Sequence, residues 1–71
     1  MVVRTMLIED AIAEGAHVAL DVRRCALRIA KAMPDNSILV EDYSLRNTDD
    51  ALDLLAYLQR SSRRFRSVKI T

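Results

Sequence analysis

His17 is the sole imidazole of this 71-residue chain and Cys25 its sole thiol. Eight positions separate them, which on one helix is about 12 Å of axial rise. That is too far for a nucleophile–base hydrogen bond, and no third, orienting group is indicated. His17 therefore reads as a half-exposed helix residue and Cys25 as a small apolar side chain beside the core. One cysteine forbids an intrachain disulfide, and one Cys with one His falls short of the four ligands of structural zinc. Phosphate-cradling loops need several glycines, and Gly15 is the only one here. Asp49, Asp50 and Asp53 could share a helix face, but acids at a helix start serve the positive end of its dipole. The expectation is no catalytic, metal or cofactor site, no small-molecule ligand, and hence no enzyme.

The residues with the strongest claim to a binding role are basic. Arg60, Arg63, Arg64, Arg66 and Lys69 place five cations within ten residues, with Phe65 among them. Such a stretch could neutralise phosphates while the ring stacks on a base, or meet an acidic protein. A structural explanation competes, because charge is blocked along the whole chain. Residues 9–21 carry four acids, 23–31 four bases, 35–53 six acids against Arg46, and 60–69 the five bases. If helices occupy these blocks, each begins acidic and ends basic, which matches its own macrodipole. Phe65 then serves better as a core anchor.

The elements that must position these residues follow from apolar spacing. Ile8, Ile12, Gly15, Ala19, Val22, Ala26, Ile29 and Met33 recur at steps of 4 and 3, the period of one helix face. The spacing predicts a helix over 6–33, either unbroken or broken near Gly15, and ended by Pro34. Residues 37–45 combine three aliphatics with alternation and predict a strand. Thr48 offers a cap and residues 49–63 a second helix, apolar around most of its circumference. Residues 65–71 alternate again and predict a final strand; residues 1–4 could add an edge strand.

These elements describe an α+β domain spanning 1–71, with two amphipathic helices and a small two- or three-stranded sheet. An all-α helical hairpin is the rival. At 71 residues a lone core is thin. An unbroken helix over 6–33 would run about 42 Å, against a globule of roughly 30 Å. The 4-3 seam from Ile8 to Met33 is therefore a candidate dimer contact, with Gly15 and Ala19 permitting close approach. No run of 18 apolar residues occurs, so no membrane span is predicted. The lone cysteine suggests the cytoplasm. The functional expectation is a small non-enzymatic interaction or regulatory module, a homodimer that binds a protein partner. Nucleic-acid binding through the basic C-terminal segment is the alternative.

Overall fold

The computed structural model describes residues 14–71. Its elements run β1 (His17–Asp21), β2 (Ala26–Ala32), β3 (Ile38–Ser44), α1 (Thr48–Arg60), a short 3-10 turn (Ser62–Arg64) and β4 (Ser67–Ile70). Among the described residues, one helix and a four-stranded mixed sheet stand where a pair of helices with a small sheet, or an all-helical hairpin, was expected. The strand order is β3-β2-β1-β4. β1 and β2 are antiparallel, as are β2 and β3, whereas β4 lies parallel to β1.

The largest correction concerns residues 14–33, which form a hairpin and no helix. The buried residues are Val18 and Leu20 in β1, and Leu27 and Ile29 in β2. Within each strand they alternate, as a half-buried sheet requires. Across the turn, however, Leu20 and Leu27 are seven apart and Val18 and Ile29 eleven apart. Seven and eleven residues are close to two and three turns of a helix. A hairpin folded about its own turn thus imitates a helix when read along the chain. Register pairs Leu20 with Leu27 and Val18 with Ile29, so the same residues meet across strands.

The proposed seam is not one face of anything. Ala19 and Ala26 lie on the sheet surface opposite to Ile29. Val22 sits half-buried in the β1–β2 turn, Met33 follows β2, and Gly15 precedes β1. Ile8, Ile12 and the suggested strand over 1–4 lie outside the described residues. Gly15 has a left-handed backbone, φ 79°, and its N–H donates to the Arg64 carbonyl at 2.7 Å. It joins the start of β1 to the entry of β4, and no helix passes through it.

The strands at 38–44 and 67–70 fall inside the segments 37–45 and 65–71. The helix ends at Arg60, short of 63, and its cap is one residue earlier than Thr48. The Asn47 side chain accepts from the Asp50 N–H at 2.9 Å, which satisfies a free amide of the first turn. Asp49 and Asp50 stand in that turn and Arg60 in the last, as the helix dipole favours. β3 and β4 run in the same direction, with β2 and β1 between them.

α1 covers one face of the sheet. Ala51, Leu54, Tyr57 and Leu58 pack on Val18, Leu20, Leu27 and Ile29, with Ala16, Leu45 and Phe65 closing the ends. Phe65 is 7% exposed and meets Tyr57 edge-on, with ring centroids 6.3 Å apart. It is a core residue. The other sheet face is open, and its floor is small: Ala19 in β1 and Ala26, Ala30 and Ala32 in β2. Among the described residues no helix is long and apolar enough to cross a membrane.

Candidate functional site

The open face and the outer strand β3 hold the features that call for a functional explanation. Cross-strand partners share a face, so Ile38, Val40, Asp42 and Ser44 join the alanines on the open side. Leu39, Glu41 and Tyr43 lie on the helix side. Ile38 is 70%, Leu39 40% and Val40 51% exposed. Three consecutive aliphatics therefore face water on a seven-residue edge strand.

The backbone of β3 has a defined polarity. Met33 N–H donates to the Ser37 carbonyl at 2.8 Å, and Leu45 N–H to the Cys25 carbonyl at 2.7 Å. Both bonds belong to the same register as the β2–β3 pairing. Antiparallel pairs alternate between bonded and non-bonded, so Leu39, Glu41 and Tyr43 bond inward to β2. The amides and carbonyls of Ile38, Val40, Asp42 and Ser44 consequently point outward along the edge. A docking strand would find both hydrogen-bonding groups and aliphatic side chains.

Next to the aliphatics stand two acids. Asp42 accepts a fork from Arg28 on β2, Nε to Oδ1 at 2.7 Å and Nη2 to Oδ2 at 3.2 Å. This hydrogen bonding holds the Asp42 carboxyl below the usual carboxylate range and raises Arg28. Glu41 accepts from the Tyr43 hydroxyl at 3.1 Å, and the bond to that carboxylate pushes the phenol up. Arg28 and Asp42, from a basic and an acidic block, thus pair across two strands, where a helix dipole was expected. Arg24, within the β1–β2 turn, stands 3.9 Å from Asp21 at the end of β1. A solvent-open depression of about 470 Å³ lies between these pairs, with Ala19 and Ala26 as its floor.

The basic segment does not form one surface. Arg64 donates to the Tyr57 hydroxyl at 2.6 Å, stands 3.7 Å from Glu14 and lies over the Phe65 ring at 5.9 Å. Arg60 lies over the Tyr57 ring at 5.5 Å. These two arginines brace the aromatic pair. Lys69 shares the open face with Ala19, away from α1. Arg63 and Arg66 are exposed.

His17 is exposed on β1, and its Nδ1 lies 2.7 Å from Ser67 Oγ on β4. Sequence spacing set His17 apart from Cys25 and gave no hint of Ser67, fifty positions away. The arrangement is a hydroxyl beside a base, but it sits on an open sheet surface. Among the described residues no acid orients the imidazole and no pocket encloses the pair, so it reads as a polar link between two parallel strands. Cys25 is a half-buried free thiol with φ 52° in the β1–β2 turn. Among the described residues, no three His, Cys, Asp or Glu side chains are grouped to hold a metal ion.

Comparison with protein-family models, with curated proteins and with solved structures finds no match for this chain. The edge itself was not foreseen from sequence. The signal lay in Ser37 to Asp42, where aliphatics fall on both faces of one strand, as they would in a buried position.

Proposed function

We propose that this chain is a non-enzymatic interaction module that recruits a protein partner by strand addition at β3. The observation that carries the proposal is the exposure of Ile38, Leu39 and Val40 on an outer strand with four outward backbone positions. An exposed, apolar edge is a template for pairing with another chain, and folds usually blunt it with lysine, proline or brevity. β4, the opposite edge, is so treated: it has four residues and carries Lys69. β3 has seven residues and neither lysine nor proline, and its two charges, Glu41 and Asp42, lie beyond the exposed aliphatics. Strand addition supplies main-chain hydrogen bonds for affinity and alternate side chains for specificity. The lone thiol of Cys25 suits a reducing compartment, and the cytoplasm is the proposed location.

The test uses Val40→Pro, which deletes one outward N–H and leaves the inward ladder in place. A partner retained by the wild-type chain from extracts of its own cells should be lost by this variant while the fold persists. Retention of the same partner by both would refute docking at β3.

Support for a homodimer changes with the fold. Among the described residues no long helix overhangs the domain, and residues 14–33 form strands instead. The exposed flank of α1, with Leu52 at 48%, still offers apolar surface. A second reading takes Arg63 and Arg66, exposed and without an ion-pair partner among the described residues, as phosphate contacts. It predicts DNA or RNA binding that weakens steeply with salt, and absence of binding at low salt would remove it.

A further inference from the structure

The edge of β3 is divided along its length, and the division specifies what can pair with it. Ile38, Leu39 and Val40 form an aliphatic half, and Glu41 and Asp42 an acidic half. We infer that β3 takes up, as an antiparallel fifth strand, a partner segment with two adjacent cations followed by three aliphatic residues. The inference rests on the reading of β3 as the docking edge, and it names the chemistry of the partner.

An antiparallel strand meets β3 in reverse order, so its first residues lie opposite the acids and its later ones opposite the aliphatics. Directly opposed side chains sit about 4.5–5.5 Å apart at Cβ, where opposite charges stabilise and like charges destabilise. Asp42 is open to such a neighbour. Its Arg28 fork comes from the β2 side, and the side chain stays 62% exposed. Its own N–H and carbonyl point outward, so the residue opposite Asp42 is held by backbone bonds as well.

A second copy of β3 fits poorly. Two-fold antiparallel pairing that keeps the helices on one side must centre on a residue. Centred on Glu41, it opposes Glu41 to Glu41 and Asp42 to Val40. Centred on Val40, it sets both carboxylates against Leu39 and Ile38. Centred on Leu39, it runs the acids onto Ser37 and Asn36, and Asn36 has φ 69° in the turn, outside strand geometry. Each of these three self-pairings opposes acids, sets carboxylates against aliphatics or shortens to three residues. A cationic–aliphatic segment avoids all three faults.

The experiment titrates the isotope-labelled full chain with a capped peptide containing Lys-Arg-Val-Ile-Val, alongside its charge-reversed form Glu-Asp-Val-Ile-Val. The expected result is displacement of the Ile38, Val40, Asp42 and Ser44 amide signals, with at least tenfold tighter binding of the cationic peptide. Asp42→Asn should shrink that preference, and Val40→Pro should weaken both peptides. Equal binding of the two peptides at β3 would overturn the partner chemistry and leave the docking edge standing. Light scattering at the same concentration separates the remaining outcomes. A dimer with protected β3 amides would give the edge to a second copy and overturn the inference alone. A monomer whose β3 amides respond to neither peptide would overturn the inference together with the docking edge.

Discussion

Replacing Glu41 by proline and replacing Val40 by proline should have unequal consequences, although the two residues are adjacent. The Glu41 N–H faces inward, and Glu41 is paired in register with Ile29. Proline there deletes the donor and leaves the Ile29 carbonyl without a partner. Ile29 is 2% exposed, so water does not readily replace that bond. An acceptor left buried and unsatisfied in this way costs about 1–3 kcal/mol. The Val40 N–H already faces water, so proline there should cost less than about 1 kcal/mol, as on edge strands elsewhere. Glu41→Ala and Val40→Ala correct for the lost side chains, including the Tyr43 hydroxyl contact with Glu41. The assay is urea unfolding followed by circular dichroism. For a domain of this length, total stability is about 4–11 kcal/mol, so the difference is readily measured. Equal losses at both positions would refute the inward–outward alternation, and with it the account of the edge.

Three other outcomes follow from the same geometry. Leu58→Ala should destabilise by about 2–5 kcal/mol in the same assay, because Leu58 is wholly buried between α1 and the sheet. Gly15→Ala should cost about 1–2 kcal/mol from backbone conformation alone, since a Cβ there meets nothing within 4 Å; a neutral result would contradict the left-handed joint. Asp42 is held below the ordinary carboxylate range chiefly by its hydrogen bond with Arg28. Its contribution to stability is therefore complete above the unfolded value and lost as pH falls below about 4. Wild type and Asp42→Asn should accordingly converge in unfolding midpoint in acid, and a constant gap down to pH 2 would contradict this.

The parts of the fold that were legible in the sequence are those whose cues are local. Asp49, Asp50 and the aliphatics after them announce a helix start. The alternation ending in Val68 and Ile70 announces a strand, as does the run from Ile38 to Tyr43. The hairpin of residues 17–32 was not legible, because its cue is a pairing across a turn. The spacing from Leu20 to Leu27 satisfies a helix as well as it satisfies two strands, and the alanines at 19, 26, 30 and 32 suit a helix intrinsically. Those alanines instead floor an open sheet face. The candidate edge was hidden for a related reason: Ile38, Leu39 and Val40 look like core until the strand order places them outermost. Of the basic residues, Arg60 and Arg64 were committed to Tyr57 and Phe65 by contacts that sequence spacing alone did not single out.

Among the described residues, no strand pairs with the outer side of β3. Residue-resolved amide hydrogen exchange tests it without any partner. The account predicts protected amides at Leu39, Glu41 and Tyr43, and near-unprotected exchange at Ile38, Val40 and Asp42. Equal protection of both sets would mean that the edge is already covered, and would contradict the claim.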